Sequence, residues 1–145
     1  MDVQIVLGSS SDMKLAEDAS KILTEFNLVH SIEVCSAHRT PEKLDRLIHS
    51  SKAKIFIAIA GLSAALPGTI AARTTKPVIA VPAGVKLSGL DALLSSMQMP
   101  TGIPVASVGV DSAKNAALLA VQILALHDKK LAQKWSNYRA QLKKK

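Results

Sequence analysis

Short apolar segments alternate with amphipathic ones along this chain, and that alternation constrains the fold more than any other feature. The segment Lys54–Ile59 is almost entirely apolar over the length of one strand, which is typical of a parallel strand covered on both faces. Amphipathic segments with helical periodicity separate such strands, as they do when helices connect parallel strands. The mean hydropathy of +0.24 is high for a soluble protein but usual for one that is built on buried parallel strands. The alternation predicts an α/β protein.

Five strands and six helices are predicted to follow one another. The predicted strands are Val3–Leu7, Val29–Val34, Lys54–Ile59, Pro77–Val81 and Pro104–Val108. The predicted helices are Ser11–Phe26, Pro41–Ser50, Leu66–Thr74, Gly89–Gln98, Ala113–Leu126 and Lys129–Leu142. We expect a flavodoxin-like, three-layer αβα sandwich with a parallel five-stranded sheet in the order 2-1-3-4-5 and a C-terminal helical extension. In such a sheet, ligands bind beyond the carboxyl ends of strands 1 and 3.

The net charge of +7 is concentrated at the C-terminal end of the chain. Residues 129–145 carry basic but no acidic side chains, whereas acidic and basic residues balance in residues 1–128. We therefore expect an αβα domain over residues 1–128, with a C-terminal helix and basic tail over residues 129–145 as part of the same domain. Because only 3% of the residues are aromatic, no platform for stacking bases is predicted, and nucleic acid is not an expected partner.

Three further features bear on the cellular location. The longest apolar stretch, Ile55–Ala72, is interrupted by Gly61, Pro67 and Gly68, so a membrane span is not expected. The first residues show no basic segment followed by an apolar one, so no secretion signal is expected. The one cysteine, Cys35, cannot form an intrachain disulfide. This cysteine usage predicts a cytoplasmic protein.

The segment Gly8–Asp12 joins the first predicted strand to the first helix. Backbone N–H groups of small residues at a helix start can bind an anion. The hydroxyls of Ser9 and Ser11 can donate to phosphate oxygens, and Asp12 suits a sugar diol. Helix capping by Ser11 or Asp12 explains the same residues. No Walker lysine and no GxGxxG is present, which argues against nucleoside triphosphates and dinucleotides.

The segment Ser36–Pro41 places His38 beside Arg39 where the second strand ends and the second helix begins. Thr40 is expected to cap that helix, and Pro41 suits its first position. An imidazole moves protons near neutral pH, and a guanidinium binds phosphate or carboxylate. A loop histidine can equally be an ordinary surface residue. The other histidines are dispersed along the chain, so no metal site is predicted.

Small residues also follow the third predicted strand. The loop from Gly61 to Leu66, with Ser63 in it, allows close backbone contact with a flat ligand, although tight helix–sheet packing requires the same residue types. Downstream, Ser95–Pro104 is a long polar and methionine-containing connection, which could complete a pocket in a neighbouring subunit.

Together these segments closely resemble the N5-carboxyaminoimidazole ribonucleotide mutase family, also called the phosphoribosylaminoimidazole carboxylase catalytic subunit. The resemblance covers nearly the whole chain through GSSSD, SAHRTP, AGLSAALPG, TTKPVIAVP, GLDALLSSMQMPTGIPVASVGV and NAALLAVQILALHD. It implies an isomerase of de novo purine biosynthesis that interconverts N5-carboxyaminoimidazole ribonucleotide and 4-carboxy-5-aminoimidazole ribonucleotide. It implies no metal, biotin, ATP or other cofactor.

The resemblance also implies roles for individual residues. His38 matches the proton-transfer group of the family, and the carboxylate leaves as trapped CO2 before it is added to the imidazole carbon. The residues matched to substrate binding are Ser9, Ser11, Asp12, Ser36, Ala37, Arg39, Gly61, Ser63 and Leu66. Family members form homo-octamers with active sites at subunit junctions. The QMPTG loop and the C-terminal helices are therefore expected oligomer contacts.

One position departs from the family pattern. Mutases carry a histidine in an AAHLPG loop, and Ala65 stands at that place here. Ser63–Leu66 partly resembles the Ser-Asn-Ala-Leu loop of the related carboxylases that use free CO2, although those enzymes tend to have lysine at the place of Arg39. The mutase is the favoured hypothesis. Alternatives are a CO2-using aminoimidazole ribonucleotide carboxylase and, because of Ala65, a weakly active or binding-only member of the family. Two readings from other classes are a non-catalytic flavodoxin-like binding module for a phosphorylated ligand and a structural subunit whose basic tail docks a partner.

Overall fold

A central sheet of five parallel strands organises the computed structural model, which describes residues 1–143. The strands are β1 (Val3–Leu7), β2 (His30–Val34), β3 (Ile55–Ala60), β4 (Val78–Pro82) and β5 (Ala106–Ser107). Their order is β2-β1-β3-β4-β5, which confirms the predicted fold class and topology. The chain reverses its direction of winding between β1 and β3, so a crevice opens there at the carboxyl edge of the sheet.

The two central strands supply both hydrophobic cores because successive side chains point to opposite faces. In β3, Ile55, Ile57 and Ile59 pack on one face, and Phe56 and Ala58 pack on the other. Every residue of β1 and β3 is buried, whereas the edge strand β2 is only half-buried. This burial explains why β3 has no polar side chain in the sequence.

Six α-helices cover the sheet: α1 (Met13–Glu25), α2 (Pro41–Ser50), α3 (Leu66–Ala71), α4 (Leu90–Met97), α5 (Ala113–Ala125) and α6 (Lys129–Leu142). Helices α1 and α5 form one layer, where Leu23 and Ala117 meet the isoleucines of β3. Helices α2, α3 and α4 form the other layer, where Leu44, Ile70 and Ala92 pack together. The result is the predicted αβα sandwich.

Helix α6 is the expected C-terminal extension, and it packs against α1 and α5 through aromatic rings. Phe26 lies at the end of α1, and its ring centroid is 6.1 Å from the ring centroid of Trp135 and 5.4 Å from that of Tyr138. The Asp128 carboxylate caps the helix by accepting from the N–H groups of Lys130 and Leu131. Assignment of residues 129–145 to the same domain stays a prediction. Part of the predicted basic tail, Lys144 and Lys145, lies outside the described residues.

Several predicted boundaries are wrong by one to three residues, and the largest errors lie in three elements. The fifth strand is two residues long instead of Pro104–Val108, since Pro104 has no N–H to donate and only Ala106 and Ser107 pair with β4. Helix α3 ends at Ala71 rather than Thr74. The start predicted at Ser11 is a 3₁₀ turn, and α1 proper begins at Met13. Among residues 1–143, no helix combines the length and apolar character needed to cross a bilayer.

Candidate active site

The loops that follow β1, β2 and β3 enclose a cavity of about 420 Å³ at the carboxyl edge of the sheet. All ten residues that the sequence analysis selected line this cavity. They are Ser9, Ser11, Asp12, Ser36, Ala37, His38, Arg39, Gly61, Ser63 and Leu66. The cavity is also lined by Gly8, Ala60, Leu62, Ala65 and Val85. Because parallel strands end at one edge, loops separated by more than fifty residues of sequence meet here.

The first loop presents two serine hydroxyls to the cavity. Ser9 Oγ accepts from the backbone N–H of Ser11 at 3.3 Å, and the hydroxyl of Ser11 donates to the same oxygen at 2.9 Å. Ser9 therefore caps the 3₁₀ turn, so capping by Ser11 or Asp12 is not what the structure contains. The two hydroxyls are held side by side, which suits them to share one anionic group.

Asp12 follows these serines, and its carboxyl group is the one acidic side chain on the cavity lining. Burial and the nearby charge of Asp111 raise the pKa of Asp12 above its ordinary value, against the lowering effect of a hydrogen bond from Ser11. A carboxylate in this place repels an anion and accepts from hydroxyl groups. Asp12 thus fits the sugar part of a ligand and not its phosphate.

The second loop is a tight turn held by its own hydroxyl groups. Ser36 Oγ accepts from the backbone N–H groups of His38 and Arg39, at 3.3 and 3.1 Å. The expected cap by Thr40 is wrong, because its hydroxyl instead donates to Ser36 O and accepts from Ser36 N. These bonds leave the side chains of His38 and Arg39 exposed at the cavity rim, where a ligand can reach them.

Arg39 connects the first two loops. Its Nη2 donates to the carbonyl oxygen of Gly8 at 3.0 Å, and Gly8 N donates to Ile59 O at 3.0 Å. The guanidinium is thereby held beside Ser9 and Ser11, with further N–H donors available for a ligand. A fixed cation next to two hydroxyls and a helix start is a favourable environment for a phosphate group.

The third loop supplies the apolar floor of the cavity. Ser63 adopts a left-handed backbone conformation (φ 44°), and Ala65 N donates to its carbonyl oxygen, so the chain turns sharply before α3. Ala64 and Leu66 are buried below the cavity. Ala65, at the place of the family histidine, lines the cavity with a methyl group only. This loop offers a flat surface of small groups and brings no titratable side chain.

The wall residue that the sequence analysis missed is Val85, in the loop after β4. Its Cγ2 would lie 2.4 Å from a Cβ atom added to Gly61, so the valine occupies the space that a side chain at position 61 would need. The position of this valine directly after a buried strand could have indicated it, since the carboxyl end of β4 meets the same edge. Cys35, by contrast, is buried below the second loop, and burial raises the pKa of its thiol. The thiol is accordingly a poor nucleophile.

The other histidines lie away from this cavity. His30 contacts Ser20 at 2.7 Å and the Leu28 carbonyl oxygen, and the ring of His49 contacts the Asp45 carbonyl oxygen. Within residues 1–143, no group of three or more histidine, cysteine, aspartate or glutamate residues is arranged to hold a metal ion. The structure thus brings one imidazole, that of His38, to the cavity lining.

The fold and the cavity define a class of protein: a doubly wound α/β protein with a cavity at its topological switch point, lined by a guanidinium, serine hydroxyls, one carboxyl group and one imidazole. The chain belongs to the AIR carboxylase family, whose model matches residues 2–145.

Curated relatives and solved structures agree with this assignment. The chain is 59% identical to the N5-carboxyaminoimidazole ribonucleotide mutase of Methanocaldococcus jannaschii, over 97% of this chain and 90% of that protein. It is 48% identical to the mutase of the same name from Escherichia coli, over 94% of this chain and 85% of that protein. The crystal structure of Treponema denticola PurE superposes with a TM-score of 0.89 at 35% identity, over 98% and 91% of the two chains.

The contact between Gly61 and Val85 predicts that a side chain at position 61 destabilises the fold. A Cβ at position 61 would lie 2.4 Å from Val85 Cγ2 and 3.2 Å from Val85 Cβ, so the valine side chain would have to rotate and its loop to shift. We expect Gly61→Ala to lower the free energy of unfolding by about 1–3 kcal/mol. The matched control is Gly8→Ala, because a Cβ at Gly8 would meet its nearest atom at an ordinary 3.8 Å. Denaturant unfolding at one protein concentration measures both, and equal losses would contradict the contact.

Proposed function

We propose that this protein is an N5-carboxyaminoimidazole ribonucleotide mutase, an isomerase of purine biosynthesis. One observation carries the proposal: relatives with this name match nearly the whole chain at 46–59% identity. The cavity supports it independently, because its cation, hydroxyls and single imidazole suit a phosphorylated ligand that exchanges a proton. The cytoplasm is the proposed location, supported by the unpaired Cys35.

The ribonucleotide is proposed to bind with its phosphate at the first two loops. Arg39 and the hydroxyls of Ser9 and Ser11 would donate to phosphate oxygens, and Asp12 would accept from the ribose hydroxyls. Ser36 and Ala37 would line the ribose side of the cavity as part of the turn that presents Arg39. The hydrogen bond from Arg39 to Gly8 supports this placement because it orients the guanidinium before the ligand arrives.

His38 is proposed to move the protons of the reaction. Its imidazolium would give a proton to N5 as the bond from N5 to the carboxylate carbon breaks and CO2 forms. The neutral imidazole would then take the proton from C4 while C4 bonds to the same CO2. The histidine returns to its starting protonation state and atoms balance over the two steps. The Ser36 turn supports this role, because it holds the backbone of His38 at the cavity rim.

The third loop is proposed to hold the imidazole ring and the CO2. Gly61, Ser63 and Leu66 would form the surface under the ring, and small groups there let the flat heterocycle approach the backbone. No cofactor has a step in this scheme, since the carbon dioxide stays in place and only a proton is exchanged. Retention of the CO2 requires that the walls exclude water and remain closed.

Ala65 is the feature that favours the two alternatives within the family, a CO2-using carboxylase and a weakly active or binding-only member. A methyl group at this place removes a titratable side chain from the cavity, as in a CO2-using carboxylase or a weakly active family member. The names of the relatives support the mutase and not these alternatives. His38 supplies the one imidazole that the proposed proton exchange requires.

The reaction itself is tested with N5-carboxyaminoimidazole ribonucleotide whose carboxylate carries ¹³C, in buffer with unlabelled bicarbonate. A mutase transfers the labelled carbon, so we expect the 4-carboxy product to retain ¹³C and to form at low bicarbonate. Mass spectrometry of the product measures retention against an enzyme-free sample. A product that is unlabelled, or that forms only at high bicarbonate, would identify a carboxylase and overturn the proposal.

The role of His38 makes a second prediction. His38→Asn keeps a polar side chain of similar size but cannot exchange protons, so we expect turnover to fall by about 10²-fold or more. Affinity for the nucleotide, measured by calorimetry, should change little because the phosphate contacts remain. The matched control is His49→Asn on the exposed side of α2, which should keep full turnover. Equal turnover of the two variants would remove His38 from the mechanism.

The assembly is proposed to be a homo-octamer. Leu90, Leu94 and Met97 follow one face of α4 and are 53%, 43% and 56% exposed, which is unusual for apolar side chains at helical spacing. We infer that this face is buried against another copy of the chain, next to the QMPTG loop (residues 98–102). The C-terminal helix is the second proposed contact.

Light scattering tests the assembly. We expect a particle of eight chains of 15.3 kDa each, and dissociation by Leu94→Asp, because a carboxylate in an apolar interface loses its hydration. A matched control is Thr24→Asp on the exposed surface of α1, which should leave the mass unchanged. An unchanged mass for Leu94→Asp would remove α4 from the interface.

A further inference from the structure

The loop between β4 and α4 has a strained backbone close to the cavity. Three consecutive residues in it, Leu87, Ser88 and Gly89, have φ values of 45°, 54° and 80°. This conformation is unfavourable for the first two, since their side chains crowd the backbone. Residues 84–88 are exposed, so the hydrophobic core does not hold them in place. Other contacts must therefore hold the loop.

Val110 and Asp111, in the loop that follows β5, provide these contacts. Asp111 Oδ1 accepts from the N–H of Gly84 at 2.9 Å, and Asp111 N donates to the carbonyl oxygen of Pro82 at 2.9 Å. Val110 occupies the space beside Gly89, where an added Cβ would lie 2.5 Å from its Cγ1. Asp111 itself has φ 57°, a conformation that aspartate, asparagine and glycine adopt more readily than other residues. We call Val110 and Asp111 the β5 clamp.

The clamp holds the residue that forms the cavity wall. Gly84, bonded by Asp111, directly precedes Val85, and Val85 N donates back to Ala83 O at 2.9 Å. Val85 then fills the space above Gly61, while 48% of its surface stays exposed. Asp111 and Val110 do not line the cavity, so their contacts with the β4 loop act on it through Val85, while the charge of Asp111 also acts on Asp12.

We propose that Val85 is a wall residue that retains the CO2 intermediate, and that Asp111 is a positioning residue that holds Val85 against Gly61. This inference rests on the proposed mutase function. CO2 is small and uncharged, so no ion pair can hold it, and closed walls must keep it near C4 of the ring. A valine fixed at the junction of the third and fourth loops closes the side of the cavity toward β4.

Label retention in the ¹³C experiment tests the wall directly. We expect Val85→Ala to release labelled CO2, so that the loss of ¹³C from the product rises about tenfold over the wild-type protein while decarboxylation continues. The matched control is Val29→Ala, which removes the same atoms from a residue 63% exposed before β2. Equal retention in Val85→Ala and wild type would overturn the wall role.

Variants of Asp111 separate the hydrogen bond from the backbone conformation. Asp111→Gly tolerates the positive φ but removes the acceptor, and we expect it to lose label as Val85→Ala does. Asp111→Asn keeps an amide oxygen in the same place and should restore retention. Asp128→Ala removes a carboxylate that also accepts from backbone N–H groups, far from the cavity, and should retain the label.

The outcomes distinguish this inference from the function on which it rests. Thermal unfolding confirms that each variant is folded at the assay temperature. Full retention in Asp111→Gly, or loss in Asp111→Asn equal to that in Asp111→Gly, would overturn the positioning role alone. Loss of all label by the wild-type protein would overturn the proposed function, and the wall role with it.

Discussion

The parallel arrangement of the strands is the constraint on which the rest of the structure depends. Because β1 and β3 are buried on both faces, their side chains are apolar except for Gln4, whose amide donates to backbone carbonyl oxygens. All five strands end at one edge, so four loops meet there although they are distant in sequence. The polar residues of the cavity, from Ser9 to Arg39, lie in the loops at that edge and not in the buried strands.

The sequence was sufficient to predict the strands and the three loops that line the cavity, because both follow from local patterns, and the sheet order follows from the connection rules of doubly wound folds. Apolar periodicity marks the strands, and small or polar residues mark their ends. It was not sufficient for features that depend on distant contacts. Val85 forms a wall because Gly61 lacks a side chain, and Thr40 does not cap its helix because Ser36 binds its hydroxyl. The brevity of β5 depends on how many residues can reach β4.

Hydrogen bonds within the protein hold the cavity loops in place without a ligand. Ser36 accepts from the backbone N–H groups of His38 and Arg39, and the carbonyl oxygen of Gly8 accepts from the guanidinium of Arg39, so these hydrogen bonds join the first two loops. Such preorganisation reduces the entropy lost when a nucleotide binds. The cavity combines these two loops with the β4 loop, whose position depends on a hydrogen bond from Gly84 to Asp111. Both sides of the pocket thus depend on hydrogen bonds at the exposed edge of the sheet.

The shortness of β5 has a consequence for how copies of this chain can associate. A long outer strand presents a row of free amide and carbonyl groups, which can recruit a strand from another molecule and extend the sheet. With only Ala106 and Ser107 paired to β4, this side of the sheet offers too brief a template for such growth. Intermolecular contact on this flank must therefore use side chains instead of strand pairing.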